Sequence, residues 1–246
     1  MEERDRTELM IQLTYRCNLD CRHCAYGDIK NQECPMALVG LTEGAFLSMH
    51  KPQLIKLSGG EPTLSKDFEY MVRLCKGSGA KTIAFTNGTG NPKKDPDAYW
   101  VSLFGERKIH NNITRQDTFD KVIAFIKTHE VEYLNSPVFS REQLKSLKEL
   151  GRKLDIPLRV TRLIPHGNAV DVLRLERQQH IVRSLELHRS PHWATCSLGF
   201  EPARCWKKMC LKPDGTTVIC TALIRGLECP FRKKIPTLVW NKLFQD

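Results

Sequence analysis

Three cysteines lie close together near the amino end of the chain, in the pattern Cys17-x3-Cys21-x2-Cys24. Thiolates at this density suit a transition metal or an iron–sulfur centre. Structural zinc sites usually have four ligands, commonly arranged as two pairs. The nearest fourth thiol, Cys34, is distant in sequence and is followed by a proline. The pattern therefore predicts iron with three thiolates and one open coordination position for a substrate or cofactor.

A second group of cysteines lies in residues 191–246, which contain five of the ten cysteines in the chain. A segment of this size cannot build a sufficient core of its own, so it needs a metal or contact with the rest of the protein. We therefore expect two units, a core at 1–190 and a cysteine-rich extension at 191–246. His188 and His192 precede Cys196 at helical spacing and offer one alternative, a mixed zinc site.

The elements that must position the first cysteines alternate between strands and helices. Apolar alternation predicts strands at 7–14, 53–57, 81–85, 100–104, 132–139 and 158–164. Helical patterns predict helices at 42–50, 67–76, 117–129 and 169–187. A capping-box-like SREQ at 140–143 predicts the start of another helix, at 140–154. In the second helix Cys75 lies on the apolar face and is expected in the core. Six such units imply a parallel sheet, open or closing into a partial barrel, with ligands at the carboxyl ends of its strands. Residues 91–99 are too short and proline-broken for a full helix.

Charge and hydropathy set the class of protein. Lysine and arginine number 38 against 28 acidic residues, a formal net charge of +10. The basic residues are spread along the chain, so the positive charge has two interpretations: a basic surface that serves solubility, or a polyanionic partner such as nucleic acid. The second interpretation is possible but not favoured. No apolar run is long enough to cross a membrane, and no export signal is visible at the amino end. We therefore expect a cytoplasmic protein with reduced thiols.

Five motifs in order resemble one known family. The run LTYRCNLDCRHC at 13–24 is similar to the cluster loop of radical S-adenosylmethionine enzymes. SGGEP at 58–62 follows the second predicted strand, and TNG at 86–88 follows the third. VSLFG at 101–105 and RLIPHGN at 162–168 resemble the family's fourth and sixth strand endings. The resemblance extends over roughly residues 8–170.

This resemblance implies a fold and a chemistry. The fold is a partial (β/α)6 TIM-type barrel, and Cys17, Cys21 and Cys24 hold a [4Fe-4S] cluster whose fourth iron binds S-adenosylmethionine. In the family, an electron from the reduced cluster cleaves S-adenosylmethionine to a 5′-deoxyadenosyl radical, which abstracts a hydrogen atom from the substrate. A low-potential donor such as a flavodoxin or ferredoxin would supply the electron.

The resemblance also implies a set of S-adenosylmethionine contacts. Two glycines would admit the methionine moiety, Glu61 would accept from its ammonium group, and the backbone of His23 would lie near the adenine. Thr86, Asn87 and Ser102 have an alternative role as caps of turns, and Arg115 has an alternative role as a solvated side chain. The full set is His23, Gly59, Gly60, Glu61, Thr86, Asn87, Ser102 and Arg115.

The extension resembles the SPASM and shorter twitch extensions through Cys205-x9-Gly215-x4-Cys220, with Asp214-Gly215 as a hairpin turn. The twitch form implies a second [4Fe-4S] cluster, with zinc or no metal as alternatives. The expected ligands are Cys205, Cys210, Cys220 and Cys229, with Cys196 as the substitute. Such extensions occur in enzymes that modify peptides or proteins. We therefore expect first that this protein modifies a peptide or a protein. Cofactor or small-molecule biosynthesis, RNA modification and a non-catalytic iron–sulfur or zinc module are the alternatives.

Overall fold

A computed structural model describes residues 8–27, 29–30, 52–138, 140–161, 168, 208–211 and 217–218. Within these residues the strands form one sheet in the order β6-β5-β4-β3-β2-β1-β7-β8. Neighbours from β1 to β6 are all parallel. The described sheet is open, which confirms the predicted α/β partial barrel. The strands are β1 (Glu8–Thr14), β2 (Leu54–Gly59), β3 (Lys81–Thr86), β4 (Ala98–Val101), β5 (Val131–Pro137), β6 (Leu158–Thr161), β7 (Lys208–Leu211) and β8 (Thr217–Val218).

The helices cover one face of this sheet. Alternate residues of β1, namely Leu9, Ile11 and Leu13, are buried in the main core with residues of the neighbouring strands and helices. Cys75 is fully buried in the same core, as expected from its helix face. No helix among the described residues is both long and apolar enough to cross a membrane. The described helices are α1 (Phe68–Gly77), α2 (Arg107–Thr114), α3 (Phe119–Thr128) and α4 (Arg141–Leu154).

The helix starting at residue 140 was predicted from a capping-box pattern, and half of that pattern forms. The Ser140 hydroxyl accepts from the amide of Gln143 at 3.0 Å. The Gln143 carboxamide, however, donates to the carbonyl of Pro137 at 2.9 Å. The side chain therefore ties α4 to the end of β5, where strand endings form the site.

The fourth strand differs from its prediction. It runs over Ala98–Val101, so the interval 100–104 is wrong in its second half. Leu103 and Phe104 are buried, which accounts for the apolar pattern, but they lie beyond the ladder. Gly105 has φ +138 and turns the chain into α2, a short helix that the pattern did not reveal.

Two further predictions concern connections. Residues 87–97, between β3 and β4, contain no helix, as their prolines indicated. The helices predicted at 42–50 and 169–187 lie outside the described residues.

The extension contributes a hairpin to the main sheet. Strands β7 and β8 are antiparallel with Leu211 opposite Thr217, as predicted for the two sides of the turn. Strand β7 also pairs in parallel with β1, which places Cys210 opposite Met10. The turn at 214–215 and the other four cysteines of the extension lie outside the described residues.

A buried histidine connects the end of β4 to α2 and α3. His110 is 1% exposed, and its Nδ1 accepts from the amide of Phe104 at 3.4 Å. Since Nδ1 accepts, Nε2 carries the proton and donates to the Thr118 hydroxyl at 3.1 Å. Burial lowers the pKa of His110 from 6.5 to about 4. The fold therefore requires the neutral ring.

We predict that His110 makes stability depend on pH. Between pH 6.5 and about 4 the unfolded chain binds a proton at this ring and the folded chain does not, so unfolding becomes easier as the pH falls. The loss from this residue is on the order of 3 kcal/mol. Urea unfolding at several pH values should show a shallower pH dependence for His110→Asn than for the wild type. Equal slopes in the two proteins would contradict the prediction.

Candidate metal centre

The three clustered cysteines lie on the cysteine loop, residues 15–27, which follows β1. All three side chains are partly exposed. Within the described part of the chain, no three Cys, His, Asp or Glu side chains are close enough to hold one metal ion. The three thiols of the cysteine loop are the donor set that a four-iron cluster with one open iron takes.

N–H groups of the chain donate to the sulfur of Cys17. Its Sγ accepts from the amide of Leu19 at 3.4 Å and from Nδ2 of Asn87 at 3.9 Å. Burial raises the pKa of Cys17 to about 11 and raises the pKa of Cys21 as well. Both thiols are thus protonated at neutral pH without a metal, and metal binding must release these protons. Thiolates that accept N–H hydrogen bonds are typical of iron–sulfur ligands.

The predicted glycine pair lies directly against the cysteine loop. Gly59 has φ +134, and a Cβ there would collide with the carbonyl of Thr14. A Cβ on Gly60 would collide with the carbonyl of Arg16. The amide of Gly60 donates to the Thr14 carbonyl at 2.7 Å. The chain's own backbone therefore requires both glycines, and their contact with S-adenosylmethionine stays a prediction.

The Glu61 carboxylate joins the ends of two strands. It is 1% exposed, and its Oε1 accepts from the amide and hydroxyl of Thr63 and from the hydroxyl of Thr86 at 2.8 Å. Its Oε2 accepts from the amide of Asn87 at 2.7 Å. Burial raises the pKa of Glu61, and these four hydrogen bonds oppose the rise. The donors come from the chain, so acceptance from a ligand's ammonium group stays a prediction.

Arg115 holds the cysteine loop in place. Its guanidinium pairs with Asp20 at 2.8 Å, and its backbone is left-handed, with φ 59. Arg22 donates from its backbone and its side chain to two carbonyls of α2. Gln116 donates to the carbonyl of Asn18 at 2.9 Å. The carboxyl end of α2 thus clamps the loop, and the predicted contact of Arg115 with a ligand stays a prediction.

The two other predicted residues lie near the end of β4. The His23 ring packs edge-on against Phe104, with ring centroids 4.6 Å apart. Burial lowers the pKa of His23 to about 4. The amide of Ser102 donates to the carbonyl of Thr86 at 2.8 Å, so these residues adjoin at one edge of the sheet. The structure thereby brings the polar strand endings and the cysteine loop together.

One residue of this site was not predicted. Asn168 donates from its amide to the carbonyl of Cys24 at 2.9 Å, and from its side chain to the carbonyl of Cys21 at 3.0 Å. A Cβ on Gly27 would collide with its carboxamide. The signal was available, because Asn168 closes the motif after the sixth strand, and parallel strands end at one edge.

No family model matches the chain, whereas sequence comparison gives relatives among curated proteins. The mitochondrial GTP 3′,8-cyclase of Arabidopsis thaliana is 30% identical over 195 residues, 69% of this chain and 49% of that protein. A probable GTP 3′,8-cyclase of Saccharolobus islandicus is 31% identical over 138 residues, 49% of this chain and 42% of that protein. The chain thus spans about half the length of these relatives.

Solved structures share the fold. Streptococcus suis SuiB bound to the precursor peptide SuiA superposes with a TM-score of 0.67 at 17% identity, over 98% of this chain and 65% of SuiB. Native anSMEcpe, with bound AdoMet and the Cp18Cys peptide, has a TM-score of 0.50 at 16% identity, over 81% of this chain and 56% of that chain. These sequence relatives and structural neighbours are radical S-adenosylmethionine enzymes, as the motifs of this chain indicated. That family implies a [4Fe-4S] cluster and S-adenosylmethionine, which the three thiols of the cysteine loop fit.

We predict that Glu61→Ala lowers the free energy of unfolding by about 3 kcal/mol, because the buried donors of Thr63, Thr86 and Asn87 lose their acceptor. Urea denaturation measures the change. Glu149→Ala, on the exposed side of α4, is the matched control and should shift stability by no more than about 0.5 kcal/mol. A similar small effect of both substitutions would show that the buried carboxylate does not hold the strand ends.

Proposed function

We propose that this chain is a radical S-adenosylmethionine enzyme that acts on a peptide or protein. When bound, the reduced cluster and S-adenosylmethionine supply one-electron cleavage of the sulfonium and abstraction of a substrate hydrogen atom. The observation that carries the proposal is the chain of contacts from Glu61 through Asn87 to Cys17. These contacts fix the glycine motif, the third strand ending and a cluster thiol relative to one another.

Each group of residues has a proposed part in this chemistry. Cys17, Cys21 and Cys24 would ligate the cluster, after losing their protons to the solvent. The clamp by α2 and Asn168 would hold the cysteine loop rigid while a ligand binds. The proposed S-adenosylmethionine contacts are those predicted from the sequence: His23, Gly59, Gly60, Glu61, Thr86, Asn87, Ser102 and Arg115.

Two carboxamide side chains on the sheet face opposite the helices support a peptide substrate. Gln12 and Asn135 alternate with core residues and therefore face away from the helices. Among the described residues, each has a buried carboxamide oxygen without a hydrogen-bond partner. Such oxygens accept from N–H groups, which a peptide main chain carries at nearly every residue. The likeness to SuiB, whose structure holds a precursor peptide, spans 98% of the chain and supports the same substrate class.

The second candidate is the biosynthesis of a cofactor or another small molecule. The sequence relatives favour it, since they are named GTP 3′,8-cyclases and are 30–31% identical to this chain. RNA modification has only the net charge of +10 in its support. A non-catalytic iron–sulfur or zinc module would leave S-adenosylmethionine intact.

We also propose a second cluster in the extension. Cys210 lies in β7, which is paired with β1, and β1 leads into the cysteine loop. The hairpin would thus bring an auxiliary cluster, ligated by Cys205, Cys210, Cys220 and Cys229 with Cys196 as the substitute, to the edge of the core. The protein would work in the cytoplasm with a flavodoxin or ferredoxin as its electron donor.

Anaerobic, dithionite-reduced protein should convert S-adenosylmethionine to 5′-deoxyadenosine, measured by liquid chromatography. We expect Cys17→Ala to reduce this conversion to background, because one cluster ligand is lost. Cys75→Ala is the matched control: it removes a thiol buried in the core and should keep the activity. Intact S-adenosylmethionine with the wild type would overturn the proposal. Stimulation of the reaction by GTP would favour the second candidate over a peptide substrate.

The number of clusters is measurable by iron and sulfide analysis of anaerobically purified protein. Two four-iron clusters give about eight irons per chain, and the combined Cys17→Ala, Cys21→Ala and Cys24→Ala variant should keep about four. Cys75→Ala should keep the wild-type content, since it lies outside both groups. A wild type with four irons and a triple variant with none would remove the auxiliary cluster from the proposal.

A further inference from the structure

Asn87 has no hydrogen-bonding capacity left in its side chain. A carboxamide offers two N–H donors and two acceptor positions. Oδ1 accepts from the amide and the hydroxyl of Thr89, at 3.0 and 2.7 Å. Nδ2 donates to Oδ1 of Asn18 at 2.9 Å and to Sγ of Cys17 at 3.9 Å. The four positions are thus taken by the chain itself.

These partners also fix which end of the carboxamide faces the cysteine loop. The Thr89 amide can only donate, so the group that faces it must be the oxygen. A flipped carboxamide would place two N–H donors against each other and would leave Cys17 without its second donor. The backbone of Asn87 is held as well, since its amide donates to the buried Glu61 carboxylate at 2.7 Å. Its N–H group therefore points at the sulfur from a rigid position.

We propose that Asn87 is a positioning residue that raises the reduction potential of the cluster ligated by Cys17. An N–H group that donates to a cysteine sulfur withdraws negative charge from the cluster, and the reduced state carries one more negative charge. The hydrogen bond consequently stabilises the reduced state more than the oxidised state. This role differs from the S-adenosylmethionine contact that the sequence predicted for the same residue.

The inference rests on the cluster of the proposed function but not on the substrate or on S-adenosylmethionine cleavage. The donor lies 70 residues from its sulfur in the sequence, on a different strand ending. The potential is thereby coupled to the packing of β3 against the cysteine loop. The amide of Leu19 also donates to this sulfur, and as a backbone group it cannot be removed by substitution of a side chain.

The test is an electron paramagnetic resonance redox titration of the reconstituted full chain without S-adenosylmethionine. Asn87→Leu removes the donor at similar size, and Asn87→Asp replaces it with a negative charge. At a fixed potential, we expect Asn87→Leu to increase the ratio of oxidised to reduced cluster about tenfold. For a one-electron couple this is a decrease of about 59 mV in the midpoint. Asn87→Asp should shift it further in the same direction.

The matched control is Thr89→Val, which removes the hydroxyl donor to Oδ1 and the acceptor of Asn18 Nδ2 but leaves the Cys17 contact in place. We expect its midpoint to equal that of the wild type. An unchanged midpoint in both Asn87 variants, with full iron content, overturns the inference. Loss of the cluster from both Asn87 variants but not from Thr89→Val also overturns it, because a residue that tunes the potential is not needed to retain iron. If the wild type titrates normally but leaves S-adenosylmethionine intact, the proposed function fails and this inference stands.

Discussion

A buried carboxylate at the end of β2 is the constraint on which the site depends. Moving a charge out of water is costly unless hydrogen bonds compensate for it, and Glu61 has four from the chain itself. Those donors come from the turn after β2 and from the end of β3. Satisfying the charge therefore fixes two strand endings relative to each other. Asn87 is placed by the same carboxylate, and through Asn87 the constraint reaches Cys17.

The cysteine loop, whose residues 15–27 are all described, contains no helix or strand. Its three thiols must nevertheless keep their spacing. Contacts from three directions give it rigidity. Residues after β3 contact Asn18, the carboxyl end of α2 binds Arg22, and Asn168 binds the carbonyls of Cys21 and Cys24. Loops that carry function usually depend on a scaffold in this way. Here the scaffold is one edge of a parallel sheet, where successive strands all end.

The pattern of apolar residues predicted a strand or helix correctly where one face of that element is buried. The alternation of Leu9, Ile11 and Leu13 identified β1, and the spacing of apolar residues identified α1 and α3. It failed around β4, because Leu103 and Phe104 are buried without being part of a strand. It also missed α2, whose sequence RKIHNNIT has two apolar residues and is followed by Arg115 in the left-handed conformation. Burial outside regular structure and short polar helices leave no periodic signal.

The sequence by itself determined the chemistry available to this protein: three thiols at cluster spacing, a glycine pair with a carboxylate, and polar residues at strand ends. Their order along the chain also determined the parallel sheet, because each strand is followed by a crossover. Only the tertiary structure decided which polar atoms are occupied by the chain. Glu61 and Arg115 bond to residues 25 and 95 positions away, and strand register sets such pairings rather than local sequence. Residue type therefore predicted where ligands would bind, while the register of the sheet decided which side chains build the site.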